Sequence, residues 1–251
     1  MKIKLSKIMT RGRAMYLAYD QGLEHGPESD FNGKSANPLY ILDIARRGRF
    51  NAVVFHKGIA EKYNKEVSQS KVPLILKLNG KTKLTKGEPI SAQIGTVKEA
   101  IKLGAGAVGY TIYIGSKYEA KMIEQFSQIE REAHSKGLPV VLWVYPRGGN
   151  VKNDVSRENM VYAARVALET GADIAKIKYG GNWKDLQWAV KVAGRCKVVV
   201  AGGMKKSSSG FLKDAEEIMK SGAAGLAVGR NIWQAEKPLE VAKDLRKVIF
   251  G

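Results

Sequence analysis

Eight short apolar runs alternate with helix-patterned segments, and this alternation restricts the fold more than any other feature of the chain. The runs cover residues 15–20, 52–56, 73–79, 107–113, 140–145, 174–179, 198–203 and 225–231, and each reads as a strand. Helical periodicity occupies residues 38–47, 97–103, 117–136, 157–170, 184–193, 211–221 and 238–249. Ser156 with Asn159, and Asn182 ahead of Lys184, mark helix starts. Gly104, Gly137, Gly171, Gly194 and Gly222 each follow a helix, where a left-handed residue is wanted. Residues 81–95 lack a helical pattern, and 80–88 read as a loop or hairpin inserted after the third strand. Strands alternating with helices over 251 residues predict an α/β fold, a (β/α)8 TIM barrel, forming one domain over residues 1–251. A doubly wound open sheet also alternates, but it places a G-x-G-x-x-G turn after its first strand. Here that strand ends Ala18-Tyr19-Asp20-Gln21-Gly22, which favours the barrel.

One run contains a residue that does not suit it. Lys176 lies inside Ala172-Asp173-Ile174-Ala175-Lys176-Ile177-Lys178-Tyr179, which reads as a buried parallel strand. Burial disfavours the charged form of an amine and lowers its proton affinity. Lys178, two residues on, falls on the same strand face, and a second cation would depress the amine further. A desolvated lysine beside a cation is nucleophilic near neutral pH and can form a Schiff base with a carbonyl. The plainer alternative is a strand-end lysine that snorkels to water.

Composition narrows the partners. With 42 Lys and Arg against 24 Asp and Glu, the formal charge is +18, which suits anionic partners. The basic residues are dispersed, and neither an RNA-recognition aromatic signature nor zinc-finger spacing is present, so nucleic acid is not expected. No stretch is long enough to span a membrane, and residues 1–7 are basic without the continuous apolar core of a signal peptide. A cytoplasmic protein with a phosphorylated small-molecule partner is the simplest reading. Cys196 is the only cysteine, which excludes an internal disulfide, and with 3 histidines in no ligand spacing it argues against a metal site.

A closed barrel gathers functional groups at the C-terminal ends of its strands. The leucines of Leu74-Ile75-Leu76-Lys77-Leu78-Asn79 should meet helices, which sends Lys77 and Asn79 inward. The same parity turns Asp20, His56, Trp143, Tyr145, Lys176 and Lys178 toward the mouth. An ion-pair network in which Asp20 partners a lysine would explain the charges without catalysis. Strands seven and eight end Ala201-Gly202-Gly203 and Val228-Gly229-Arg230. The loops after these strands commonly build a barrel's phosphate site, from backbone N–H groups at glycines and a bidentate arginine.

Several segments together resemble a known family, the archaeal-type class I fructose-1,6-bisphosphate aldolases. They are Leu17-Ala18-Tyr19-Asp20-Gln21-Gly22-Leu23-Glu24-His25-Gly26-Pro27, Gly58-Ile59-Ala60-Glu61-Lys62-Tyr63, Leu76-Lys77-Leu78-Asn79-Gly80-Lys81-Thr82, Gly109-Tyr110-Thr111-Ile112-Tyr113, Trp143-Val144-Tyr145-Pro146-Arg147-Gly148-Gly149, Lys176-Ile177-Lys178-Tyr179 and Gly229-Arg230-Asn231-Ile232-Trp233-Gln234. The resemblance implies a (β/α)8 barrel, no metal or other cofactor, and Schiff-base cleavage of fructose 1,6-bisphosphate to two triose phosphates. It also implies a homo-oligomer, a pentamer or a decamer. By the same resemblance Lys176 is the Schiff-base lysine, Tyr145 the acid/base and Asp20 the active-site aspartate. Trp143 positions substrate, Gly202, Gly203, Gly229 and Arg230 hold the C1 phosphate, and Lys77, Lys178, His25 and Arg147 are further substrate contacts. Gln21, Ala201 and Met204 depart from the family's usual histidine, serine and proline, which bears on affinity more than on reaction type. A transaldolase-like 2-amino-3,7-dideoxy-D-threo-hept-6-ulosonate synthase shares the lysine, tyrosine and aspartate and is the nearest alternative. A basic nucleic-acid-binding protein on a non-catalytic barrel, and a pure sugar-phosphate-binding protein, are the alternatives of another class.

Overall fold

The computed structural model describes residues 3–26, 31 and 33–251; Met1, Lys2 and Pro27, the last residue of the first motif above, lie outside the described residues. The eight apolar runs form the eight parallel strands of one closed barrel. In chain order these are β1 (Ala14–Ala18), β2 (Ala52–His56), β3 (Leu74–Lys77), β6 (Ala107–Ile114), β7 (Val140–Pro146), β8 (Ile174–Ile177), β9 (Lys197–Ala201) and β10 (Gly225–Val228), with β10 closing on β1. The inserted segment after β3 is a short antiparallel pair, β4 (Asn79–Gly80) with β5 (Ala92–Gln93), so the insertion runs further than residues 80–88.

Alternation along each strand divides the apolar residues into two layers. Ala18, Val54, Ile75, Trp143, Val199 and Ala227 pack inside the barrel. Their neighbours Leu17, Phe55, Leu76, Leu142, Val200 and Leu226 pack outward with the helices. The period of two is what a closed sheet with both faces covered requires. Leu5, Ile8 and Met9 join the inner layer and close the N-terminal end, a plug that the alternation gave no sign of.

The helices begin where side chains can satisfy free N–H groups. Ser156 accepts from Asn159 N–H at 3.2 Å and Asn182 from Lys184 N–H at 3.0 Å. Thr96 and Glu99 form a capping box ahead of Val97–Lys102. All five glycines that follow helices hold positive φ, from 57° at Gly194 to 87° at Gly171. Between β2 and β3 the chain forms two short helices, Lys57–Lys62 and Asn64–Ser70, where no helix was predicted. Neither has a side-chain cap, and Tyr63 both ends the first and precedes the second, so neither shows the usual boundary signals.

Candidate active site

The C-terminal ends of the strands surround a cavity of about 720 Å3. Lys176, on β8, is 5% exposed and lines it. Its register partner on β7 is Trp143, whose ring centroid lies 4.7 Å from the Lys176 Nζ. The indole also faces Lys77, at 5.4 Å. Gly109 makes room for it, because a Cβ there would lie 2.5 Å from the ring.

Burial lowers the affinity of the Lys176 amine for a proton; Asp20 raises it again, and Lys77 lowers it. Of the two lysines expected to tune the amine, Lys77 and Lys178, it is Lys77 that depresses it. Lys178 lies just beyond the end of β8, and its Nζ pairs with Asp154. That carboxylate neutralises Lys178 locally, although its side chain still lines the cavity and lies 5.7 Å from the Tyr145 ring centroid. Lys77 is fully buried and does not line the cavity. Its ammonium donates to the Asn79 carbonyl at 2.7 Å and to Asn79 Oδ1 at 2.9 Å. Asn79 is fixed in turn by donating to the Ser91 and Thr111 carbonyls and accepting from Thr111 N–H. Lys77 acts on the site through its charge, 5.4 Å from the Trp143 ring centroid.

Asp20 follows β1 and lines the cavity. Burial would raise its carboxyl pKa, but Lys176 and Lys77 hold it below the ordinary value. His56 is kept neutral, its pKa lowered to about 4 by burial and by Lys77. Its Nε2–H donates to the Asp20 carbonyl at 3.2 Å. His56 does not line the cavity, so it supports the aspartate backbone rather than facing a ligand. Tyr145 does line the cavity, and its hydroxyl pKa is raised well above the usual phenol range, chiefly by burial and next by Asp20. Burial and a carboxylate set its protonation, against the nearby Arg147. The Arg147 guanidinium lies 5.3 Å from the Tyr113 ring centroid and 5.7 Å from that of Tyr145. His25, at the end of the short helix Gln21–His25, also lines the cavity.

The loops after β9 and β10, which lie between β8 and β1 in the barrel, meet there, and Gly202, Gly203, Gly229 and Arg230 all line the cavity. Gly202 N–H is already used, donating to the Ala227 carbonyl at 2.9 Å. An anion at this wall would therefore be met by Gly203, Gly229 and Arg230, and Gly202 serves the close approach to Val228, 3.1 Å from where a Cβ would stand. Gln21 packs against Gly229, where a Cβ would lie 2.4 Å from its Nε2, so this departure from the family pattern touches the phosphate wall directly. Met204 is 78% exposed at the cavity rim.

Three residues were not singled out from the sequence. Asn231 is buried and ties the two loops together: its Nδ2 donates to the carbonyls of Gly202 at 2.7 Å and Met204 at 2.9 Å, and its Oδ1 accepts from Lys206 N–H at 2.8 Å. Its place directly after Gly229-Arg230 was the available signal. Glu24 lines the cavity one helical turn after Asp20 and accepts from the Tyr113 hydroxyl at 3.0 Å. Asp154 lies in a loop, and nothing in its local sequence tied it to Lys178. Among the described residues no group of three or more His, Cys, Asp or Glu side chains is placed to hold a metal ion.

Comparison with known proteins places the chain among aldolases. The family described as DeoC/LacD family aldolase matches residues 14–235. A class 1 fructose-bisphosphate aldolase of Thermoproteus tenax is 52% identical over 244 residues, covering 96% of this chain and 91% of that protein. A 2-amino-3,7-dideoxy-D-threo-hept-6-ulosonate synthase of Archaeoglobus fulgidus is 34% identical over 248 residues, covering 99% of this chain and 90% of that protein. A solved archaeal fructose-1,6-bisphosphate aldolase, with its catalytic lysine bound covalently to the carbinolamine intermediate of the substrate, superposes with a TM-score of 0.93. It is 50% identical, over 98% of each chain.

Proposed function

The chain belongs to the DeoC/LacD aldolase family, and from that premise we propose that it is a class I fructose-1,6-bisphosphate aldolase. The reaction is reversible cleavage to dihydroxyacetone phosphate and glyceraldehyde 3-phosphate. The observation that carries the reading is the Lys176 amine, buried at the floor of a cavity and depressed in proton affinity by burial and Lys77.

The chemistry follows from the protonation states. Asp20, held as a carboxylate, accepts the proton that Lys176 sheds as its nitrogen bonds to the substrate C2 carbonyl, and passes it to the alkoxide to give the neutral carbinolamine. Tyr145 starts as a neutral phenol and is the proton donor at hand, protonating the carbinolamine hydroxyl so that water leaves and an iminium forms. The phenolate left behind then takes the C4 hydroxyl proton. The C3–C4 bond breaks, its electron pair moves to the iminium nitrogen as an enamine, and the aldehyde departs. Tyr145, again a phenol, gives its proton to C3; water then adds to the iminium and returns a proton to the phenolate, and transfer of the carbinolamine O–H proton to nitrogen through Asp20 frees Lys176. Asp20 moves the proton between nitrogen and oxygen, Tyr145 serves the other transfers, and both residues end as they began. Gly203, Gly229 and Arg230 are suited to the C1 phosphate, and Arg147 lines the same cavity.

The same reading extends to the setting of the enzyme. The substrate class and the motif resemblance support a cytoplasmic role in glycolysis or gluconeogenesis and assembly into a pentamer or decamer. Product analysis tests the assignment. Incubation with the two triose phosphates should yield fructose 1,6-bisphosphate. Formation of a heptulosonate from the synthase's substrate pair, without the bisphosphate, would assign the chain to the sister activity.

A further inference from the structure

The cavity contains an acidic group that the reaction above does not use. Glu24 and Tyr113 come from opposite sides of the mouth, one after β1 and the other on β6, strands that are not neighbours in the barrel. Their hydrogen bond of 3.0 Å crosses it and fixes Glu24 Oε2. Glu24 Oε1 is shielded from solvent and has no hydrogen-bond partner. A shielded carboxylate oxygen without a donor is costly, so a carboxylate kept this way suggests a donor that arrives with the ligand.

The direction of the substrate limits what that donor is. With the phosphate of C1 against Gly203, Gly229 and Arg230 and C2 bonded to Lys176 on β8, the remaining carbons must run toward β7 and β6. Arg147 faces the rings of Tyr113 and Tyr145 there and suits the distal phosphate. A carboxylate repels that phosphate but accepts from the hydroxyls that precede it. We infer that Glu24 is a specificity-determining residue, whose carboxylate, oriented by Tyr113, accepts a hydrogen bond from a hydroxyl of the aldehyde-derived half of the substrate and so selects which face of the aldehyde meets the enamine. This inference rests on the aldolase reading.

The test is the stereochemistry of synthesis. Wild-type protein, Glu24→Ala, Glu24→Gln and Tyr113→Phe are incubated with dihydroxyacetone phosphate and glyceraldehyde 3-phosphate, and the ratio of C4-epimeric ketose bisphosphates is measured. Borohydride trapping of dihydroxyacetone phosphate on Lys176 is scored in parallel. Glu24→Ala removes the acceptor and should erode the epimer ratio about tenfold or more. Glu24→Gln keeps a neutral acceptor and should restore most of the ratio, an outcome that a role through charge alone does not give. Tyr113→Phe releases the carboxylate and should erode the ratio several-fold, which keeps the inference testable if the alanine variant fails to fold. Variants that trap the ketose phosphate but make the wild-type epimer ratio overturn the inference alone. A wild-type protein that traps nothing overturns the aldolase reading and this inference with it.

Discussion

Trp143 and Lys176 are register partners on adjacent strands, and the indole ring lies 4.7 Å from the lysine amine while also facing the buried Lys77. One aromatic ring thus contacts both a reactive amine and the cation that depresses it. The ring belongs both to the barrel's inner core and to the cavity wall. Trp143→Ala is predicted to destabilise the fold by about 3–5 kcal/mol through lost packing. It should also reduce cleavage, because both amines lose a shared face. Denaturant titration and steady-state kinetics on one preparation check the two effects; loss of neither would mean the ring is idle at this position.

The second prediction concerns pH. Only the neutral Lys176 amine attacks a carbonyl, so imine formation should rise with pH through the amine's pKa, which lies below the ordinary lysine value. Lys77 contributes to that depression as a like charge. Lys77→Met removes the like charge, so the Lys176 pKa should rise and the acid limb of the imine pH–rate profile should move to higher pH. Lys178→Met should move the limb less, because Asp154 already neutralises Lys178. A limb that stayed in place in Lys77→Met, or moved down, would show that another group tunes the nucleophile.

These assignments show where the sequence was readable. Ala18, Val54, Ile75 and Trp143 do point inward, because a strand's period of two is fixed by its own backbone. The same rule carried Lys178 with Lys176, but β8 ends at Ile177, and beyond that point the period no longer holds. Asp154 decides where Lys178 goes, and a partner 24 residues away in a loop leaves no local trace. Gly202 shows the same limit: its glycine signal is real, yet the ladder to β10 takes its N–H. The mouth motifs were legible because they lie at strand ends, whereas the Glu24–Tyr113 and Asn231 bridges exist only once non-local elements meet.

Asn231 provides the third prediction. Its amide joins the two loops that face the expected C1 phosphate, and it acts as a positioning residue through them. Asn231→Ala should raise KM for dihydroxyacetone phosphate in synthesis by about tenfold or more, on the scale of a few lost hydrogen bonds. The unphosphorylated dihydroxyacetone should be affected far less. Equal losses for both ketones would indicate general loosening of the barrel and not a phosphate-specific defect.

Tyr145 provides the fourth. Tyr145→Phe removes the hydroxyl and keeps the ring, so stability should change little. Loss of a general acid/base typically costs about 10²–10⁴-fold, so kcat for cleavage should fall about 10²-fold or more. Lys176 keeps its carbonyl chemistry, and at equilibrium the variant should still give a borohydride-reduced adduct with dihydroxyacetone phosphate. Near-normal cleavage would remove Tyr145 from proton transfer and leave Asp20 as the remaining candidate.

The central claim is that Lys176 forms a covalent imine with a ketose phosphate. The direct measurement is incubation with dihydroxyacetone phosphate, reduction with borohydride, and peptide mapping by mass spectrometry. The account predicts one adduct, on the peptide side chain of Lys176, and none in Lys176→Arg, because a guanidinium is not deprotonated in proteins. An adduct on Lys178 or Lys77, or undiminished labelling in Lys176→Arg, would contradict it.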